Sequence, residues 1–449
     1  MKPYPILALG LVAWLPVASR AANDDAPTPA PNDKAAPGKP IPDRYLVEVK
    51  PGVDPAAVAP AHGVAPDFVY RKAVNGFAGT VPPGILAKLA ADPNVVRVVP
   101  DRAVAAIGKP SSGGGSVGQI VPEGVKRIGA APGLLAYTGT GVGVAVVDTG
   151  VDYNHNDLKP LGTASFSAFG GSAQDNNGHG THVSGIIAAR NNAQDVVGVA
   201  PQATIYGVKV LDASGSGSDA GVTAGLDWVA ANANLVNPPI RVVNMSLGRA
   251  GTLDDNPVQR AAIQNLTANG VTVVVAAGND ASLEVSQQVP ATYPEVIAVA
   301  SATAKAGTNA YRGFPGVIGE DTASYFTSDG AWNATTGIGV TISAPGETEE
   351  DISKAGFIQS VGILSTKLGG GTTSMSGTSM ASPHTAGVVA LIWQKTLANS
   401  QTVTSEQVRA RLRGGSANVS LAPYPSPTTG YTFDGEREGV LSAPGALSP

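Results

Sequence analysis

The chain carries five histidines, His62, His155, His179, His182 and His384, and no cysteine. Without a thiol there can be no disulfide framework, thiolate nucleophile, iron–sulfur cluster or Cys-ligated zinc, so any catalysis has to use oxygen, nitrogen or a hard metal. His179 and His182 lie in NGHGTHVSG, where glycines allow close backbone approach and the following GIIAA continues as a helix. A zinc pair is the competing reading, but the i, i+3 spacing lacks the i, i+4 geometry of HExxH and no third ligand follows. Asp148 ends the apolar run VAVVD, which puts a carboxylate at the edge of a buried sheet where it needs a hydrogen-bonded partner. Asn279 closes VVVAAGN at the same kind of strand end, and Ser379 stands among small residues in SGTSMASPH, where an apolar helix opens. Taken singly, these three read as a capping Asp, a turn Asn and an N-cap Ser.

The elements that must position them are continuous apolar strands: GVGVAVVD ending at Asp148, IYGVKVL at 205–211, RVVNMS at 241–246, VTVVVAAG at 271–278 and EVIAVAS at 295–301. Uninterrupted rather than alternating runs mean strands buried on both faces, hence an α/β domain with a mostly parallel sheet and helices on each side. Active groups then gather at the C-terminal ends of the strands. An earlier stretch, 43–105, has the order strand YLVEVK, short helix from Asp54, strand VNGFAGTV, helix GILAKLAAD, strand VVRVVP. One further short strand would make it a small ferredoxin-like β-α-β-β-α-β domain.

Around these domains the composition changes. Residues 1–21 join Lys2 to an apolar run from Pro5 to Val17 and small residues at Ser19 to Ala22, the pattern of a secretory signal peptide too short to span a membrane. Residues 22–42 are Pro-rich and expected as a linker, 106–118 contain SSGGGS and are expected as a flexible processing tether, and 119–415 hold the parallel-sheet domain. From Thr404, whose spacing to Gln407 suits a capping box, one helix precedes a Pro/Gly/Ser tail at 416–449. Charged residues make up only 14 % of the 449 residues and hydrophobic ones 43 %, which excludes a charge-driven disordered chain. A net charge of −5 gives no basic footprint for nucleic acid or anionic membrane. Residues 1–118 carry net +3 and 119–449 net −8, a contrast that would favour docking of one part on the other.

In chain order, VAVVDTGVD, NGHGTHVSG, VVVAAGN and SGTSMASPH resemble the four signature segments of the subtilisin-like serine proteases. The resemblance covers about residues 119–415 and implies a subtilisin-like three-layer fold. It also implies a serine endopeptidase acting on polypeptides, with Ser379 as nucleophile, His179 as general base and acid, Asp148 orienting the imidazole and Asn279 in the oxyanion hole. Gly215, Ser216 and Gly217, with Ser246, Leu247 and Gly248, resemble the two backbone segments that hold an extended substrate as an added strand. Arg249 departs from the second small residue of many relatives. GTSMA approaches the G-x-S-x-G elbow of α/β-hydrolases, but that triad runs Ser, acid, His, and His384 follows Ser379 too closely to admit the acid strand.

Further implications concern a metal and maturation. VGQIVPEGV resembles the mature N-terminus of subtilisins and puts Gln119 at a calcium-ligand position, joined by Asp157, nine residues after Asp148, and Asn192. DRYLVEVK, VNGFAGTV and DPNVVRVVPD resemble the family's inhibitor-type propeptide, so 43–105 would fold with and block the cleft of a self-processing zymogen. The expected product is a secreted monomer without a membrane anchor. A catalytically silent subtilisin-fold binding or inhibitory protein is the alternative. The stretch between Ser301 and Ser343, and ETEED at 347–351, are expected as a surface excursion without chemistry.

Overall fold

The computed structural model describes residues 35–111, 118–159, 161–428 and 430–448. The expected signal peptide, most of the Pro-rich linker and the centre of the SSGGGS stretch lie outside these residues. The first domain comprises β1 (Pro40–Val49), α1 (Pro55–Ala61), β2 (Pro66–Tyr70), β3 (Gly76–Thr80), α2 (Pro83–Ala90) and β4 (Val95–Ala106). Its strands run in the order β4-β1-β3-β2 with antiparallel pairing, and β2 is the short strand that completes the ferredoxin-like order. Asp54 caps α1 by accepting the Ala56 N–H, with Pro55 in the first turn, where its missing N–H costs nothing. Val47, Val49, Phe77, Val81 and Leu89 pack with the helices on one face of this sheet.

The larger domain begins with β5 (Lys109–Ser111) and α3 (Glu123–Arg127), followed by β6 (Gly143–Asp148), β7 (Phe166–Ser167), α4 (His179–Ala188), β8 (Thr204–Lys209) and β9 (Ser216–Ser218). Next come α5 (Asp219–Asn232), β10 (Ile240–Met245), β11 (Leu247–Ala250), α6 (Pro257–Ala268), β12 (Thr272–Ala276), β13 (Gln288–Val289), β14 (Ile297–Thr303) and β15 (Ile342–Glu347). Then β16 (Glu349–Ile352), β17 (Ile358–Val361), β18 (Ile363–Thr366), β19 (Thr372–Ser376), α7 (Thr378–Ala398), α8 (Ser405–Gly414) and α9 (Ala443–Ala446) complete it. The central sheet has seven parallel strands in the order β15-β14-β12-β10-β6-β8-β7. Alternate residues of each strand serve different cores, which explains the continuous apolar runs. Ala145, Val147, Val243, Val273 and Val275 pack with α5 and α6, whereas Val144, Val146, Val242 and Val274 pack with α4 and α7. Full burial of each such side chain contributes about 1.5–3 kcal/mol, so the strand ends that carry the functional residues are firmly fixed.

Four stretches differ from their sequence expectations. The Pro-rich linker does not extend to residue 42: Gly38 N–H donates to Ala103 O at 2.8 Å and Ala103 N–H to Lys39 O at 3.1 Å, so Pro40 and Pro42 start β1, at the end where a missing N–H is tolerated. The tether does not begin at 106, because Ala106 ends β4 and residues 109–111 form β5. The tail after 416 is packed, with Val440 bridged to Ser343 and Leu441, Ala443 and Ala446 fully buried. The excursion after Ser301 likewise turns inward. Ser324, Thr327 and Ser328 are buried, and Ser324 Oγ lies 2.7 Å from Ser301 Oγ, while Tyr311 and Val317 remain exposed.

The two domains meet through the second face of the small sheet, where Leu46, Phe68, Tyr70 and Ala78 join the core that includes α5 and α6. Tyr70 Oη donates to Ala220 O at 3.0 Å, and the Asp101 carboxylate accepts the Ala220 N–H at 3.0 Å, near the start of α5. From the opposite side Asp227 accepts the N–H groups of Arg71, Lys72 and Ala73 at 3.1, 2.6 and 2.6 Å. Among the described residues no ion pair joins the domains, so the opposite net charges are not realised as salt bridges. Carboxylates on backbone N–H groups take that role. In a chain held intact by Ser379→Ala, Asp227→Ala should therefore lower hydrogen-exchange protection of the amides at 71–73 by about 10- to 100-fold, the equivalent of about 1.5–3 kcal/mol. Unchanged protection would show that apolar packing alone fixes the interface.

Candidate active site

Asp148 is the last residue of β6, fully buried, and its Oδ1 accepts the Thr149 N–H at 2.7 Å. His179 opens α4, and its Nδ1 lies 2.8 Å from Asp148 Oδ1 and 3.0 Å from Oδ2. The approach of helix to strand depends on Gly180, where a Cβ would stand 2.1 Å from Gly150 O. Gly178 before the histidine has φ 108°, a left-handed conformation suited to glycine. Burial opposes a proton on His179, but the charge and hydrogen bond of Asp148, with Asp175 beyond, outweigh it and raise the imidazole above its ordinary 6.5. Fixed by the Asp148 contact, Nδ1 carries the hydrogen and leaves Nε2 as the acceptor. Among the described residues that Nε2 is buried without a partner.

Asp175 escaped the sequence reading. Its Oδ1 accepts Thr149 Oγ1 at 2.9 Å, Asn177 N at 2.9 Å and Gly178 N at 3.0 Å, and its Oδ2 accepts Thr181 N at 3.0 Å and Thr181 Oγ1 at 2.6 Å. One carboxylate thus holds the loop after β6 and the start of α4 in a single frame. Its signal was an aspartate followed by three N–H groups at a glycine-containing helix start, a local capping pattern.

Ser379 is the second residue of α7, and its Oγ donates to Ser246 O at 3.0 Å while Ser246 Oγ donates to Ser379 O at 2.9 Å. This reciprocal pair ties the end of β10 to the start of α7. Asn279 follows β12, and its Oδ1 accepts Thr378 N and Thr378 Oγ1, both at 2.9 Å, which aims Nδ2 outward to Ile107 O at 3.4 Å. Gly377 is required between them, since a Cβ there would meet Asn279 Nδ2 at 2.7 Å and Ile107 O at 2.8 Å.

The cleft is filled by the chain itself. β4 lies antiparallel between β9 and β11, pairing Ala105 with Ser216, Val104 with Gly217, Ala106 with Leu247 and Ala105 with Gly248. Ala106 N–H donates to Gly215 O at 2.9 Å and Ile107 N–H to Ser246 O at 3.2 Å. All six expected backbone residues therefore line one strand-shaped slot. Arg249 points away from it into a fully buried pair with Asp219, at 2.7 Å from Nη2 to Oδ2.

Gln119, Asp157 and Asn192 also converge, away from the cleft. Gln119 Nε2 lies 2.6 Å from Arg190 O, 3.5 Å from Asn192 Oδ1, 3.3 Å from Gln194 O and 3.2 Å from Val196 O. Four acceptors crowd one amide end with two hydrogens. Among the described residues Asp157 Oδ1 is buried without a partner, and burial raises this carboxyl to about 6.

ETEED is not a surface excursion. Glu347 and Glu350 are buried, and burial followed by the charge of Glu350 pushes Glu347 well above its ordinary 4.5, with a hydrogen bond from Glu347 to its neighbour keeping the proton there. Glu347 also accepts Ser360 Oγ, which lies 2.7 Å from Ser376 Oγ, and Glu350 Oε1 accepts the Tyr325 N–H at 2.8 Å. The pair thus backs the loop that leads into Ser379, since Gly377 N–H donates to Gly346 O at 3.0 Å.

Comparison with known proteins agrees with this geometry. Residues 139–429 match the Subtilase family of peptidases, and residues 61–106 match the Peptidase inhibitor I9 family. Alkaline elastase YaB of Bacillus sp. (strain YaB) is 38 % identical over 302 residues, covering 67 % of this chain and 66 % of the relative. Subtilisin DY of Bacillus licheniformis is 35 % identical over 309 residues, covering 68 % of this chain and 95 % of the relative. Subtilisin Savinase of Lederbergia lenta is 37 % identical over 305 residues, covering 67 % of this chain and 93 % of the relative. The chain belongs to the subtilase family, a class of serine endopeptidases, and carries an inhibitor domain ahead of its peptidase domain. No helix among the described residues is long and apolar enough to cross a membrane.

The buried acidic pair yields a stability prediction. Because folded Glu347 keeps its proton above the 4.5 of an exposed carboxyl, its contribution is complete below that value and is lost as pH rises through the folded value. Glu347→Gln, which has no proton to lose, should gain on the parent by about 1.4 kcal/mol per pH unit within that window. Parallel thermal unfolding of both proteins from pH 5 to 10 checks this, and a constant difference between them across the range would refute a protonated Glu347.

Proposed function

We propose that this chain is an exported, self-processing zymogen of a serine endopeptidase that hydrolyses polypeptides through Asp148, His179 and Ser379. The observation that carries the reading is the convergence of the Asp148–His179 contact at 2.8 Å, Ser379 at the start of α7 and Asn279 Nδ2 on the carbonyl of a strand held in the cleft. For attack, Ser379 Oγ turns from Ser246 O to the partnerless Nε2 of His179 and gives it the hydroxyl proton. Asp148 stabilises the imidazolium that results. The tetrahedral oxygen is met by Asn279 Nδ2 and the N–H of Ser379, in the positive field at the start of α7. Residues 215–217 and 246–248 hold substrate by main-chain hydrogen bonds, which favours extended polypeptides of varied sequence. The N-terminal segment ahead of the described residues would direct export, and the peptidase would act as a monomer.

A calcium ion fits the second site. With the Gln119 amide turned to present its oxygen, that atom, Asn192 Oδ1, the carbonyls of Arg190, Gln194 and Val196 and Asp157 Oδ1, which has no partner among the described residues, form the all-oxygen set that a hard cation takes. The ion would supply structural cross-linking of the segment at 119 to the loop at 190–196 and no chemistry at Ser379.

Four measurements test these assignments. A fluorophosphonate should label Ser379 in the mature protein and leave Ser379→Ala unlabelled, and absence of labelling would favour the silent binding protein. Since Asp148 raises the His179 pKa above 6.5, kcat/KM should fall as pH drops through a value above 6.5, and full activity at pH 5 would remove His179 from the base role. Asn279→Ala should lower kcat by about 10²–10³, the loss that follows removal of the side-chain oxyanion donor in subtilisin itself. For the cation, millimolar calcium over a micromolar site would add about 4 kcal/mol, so chelation should lower Tm in the parent but hardly in Asp157→Ala. An equal response in both proteins would remove Asp157 from the ligand set.

A further inference from the structure

The strand in the cleft is not merely an inhibitor laid across it, because the chain is held on both sides of one peptide bond. Before the bond, Ala106 N–H reaches Gly215 O, Ile107 N–H reaches Ser246 O, and Ile107 O faces Asn279 Nδ2 at 3.4 Å. After it, the chain pairs again as β5 against β19, with Lys109 opposite Ser376, Pro110 opposite Met375 and Ser111 opposite Ser374. Between the two clamps lies Gly108. A Cβ on this residue would stand 3.0 Å from His179 Nε2, 3.2 Å from His179 Cδ2 and 3.6 Å from Met380 Sδ. A Cβ on Gly377 would meet the same peptide unit from the other side, 2.8 Å from Ile107 O and 3.2 Å from Gly108 Cα.

Resting on the endopeptidase reading, we propose that the zymogen cuts itself at the Ile107–Gly108 bond and that glycine at 108 is selected by the imidazole it must touch. Ser379 Oγ bonds to the Ile107 carbonyl carbon as its proton passes to His179 Nε2. Collapse of the intermediate breaks the bond to Gly108 nitrogen, which takes the proton from His179. Water then adds to the Ile107 ester, giving its proton to His179, and Ser379 recovers that proton as Ile107 leaves as a carboxylic acid. The group that receives the His179 proton is therefore the nitrogen of the one residue without a side chain to displace the ring. A Cβ at this distance makes the amine or the imidazole give by a few tenths of an ångström, a bulkier side chain adds to that, and a misplacement that reaches about 1 Å at such a step costs about 10²-fold in rate. The same contact gives the mature enzyme a preference for glycine immediately after the scissile bond.

The test is a time course of the full-length chain by intact mass spectrometry, with Ser379→Ala as the uncut control. The earliest pair of fragments should end at Ile107 and begin at Gly108, before any later trimming. Gly108→Val should slow that first cut by about 10²-fold, with Gly108→Ala between it and the parent. After limited proteolysis removes its N-terminal domain, fluorophosphonate labelling of Gly108→Val reports separately that the fold and nucleophile are intact. As a second readout, mature enzyme should cleave the peptide AVAAIGKP faster than AVAAIVKP. An earliest new N-terminus elsewhere, with Ser379 labelled, would overturn the bond assignment and leave the endopeptidase reading standing. Equal first-cut rates in parent and Gly108→Val would overturn the selection by His179. Loss of both labelling and processing in the parent would overturn both readings together.

Discussion

Asp148 is a carboxylate without access to water, and a charge in that position persists only where hydrogen-bond donors surround it. The Thr149 N–H and His179 Nδ1 supply them. Almost everything else around the cleft follows from delivering that histidine. The seven parallel strands bring Asp148 to a C-terminal edge, α4 has to start within hydrogen-bond distance of it, and Gly180 removes the side chain that would block the approach. Asp175 then commits its acceptor capacity to the frame rather than to the imidazole. Its second effect is electrostatic, since its charge helps to raise the His179 pKa.

The inhibitor domain uses the same rules as a substrate. β4 joins the two domains in one sheet, pairing with β1 in its own domain and with β9 and β11 of the peptidase. Folding of the small domain therefore pre-orders the segment that enters the cleft, which removes the ordering cost an ordinary peptide must meet on binding. Occupation of the cleft and placement of the Ile107 carbonyl at Asn279 come from this one continuous strand. The proposed cut after Ile107 would sever the chain without breaking any of those main-chain contacts, so the cleaved domain would stay in the cleft until it is unfolded or digested.

The parts of the site that were legible in the sequence are those set by short continuous segments. Asp148, His179, Asn279 and Ser379 each stand beside glycines or at the end of an apolar run, and strand-end placement follows from the parallel sheet. The elements that were not legible owe their state to partners far along the chain. Glu347 and Glu350 look solvated in ETEED, yet both are buried, where Ser360 Oγ reaches Glu347 and the Tyr325 N–H reaches Glu350. Leu441, Ala443 and Ala446 sit in a Pro/Gly/Ser tail with no period, and only the surface left open beside β15 and α7 gives them a core. Pro40 and Pro42 signal a linker locally, whereas the neighbouring strand provides partners that do not require their missing N–H groups.

Chain length explains how the cleft and the cation site coexist. Gln119 is engaged with the carbonyls at 190–196, and Ile120 bridges to Val196, while Ile107 still lies at Asn279. Eleven residue steps separate Gly108 from Gln119, which can reach at most about 36–40 Å when extended. That reach lets residue 119 be anchored on the loop at 190–196 while residue 108 is still held in the cleft, so the proposed cation site would not have to wait for a cut. The order of events then differs from a zymogen whose new N-terminus must travel before its structural site can close. A cut at Gly108 would free an end whose base is already anchored, and the chain there is held by the small domain on one side and by β19 on the other.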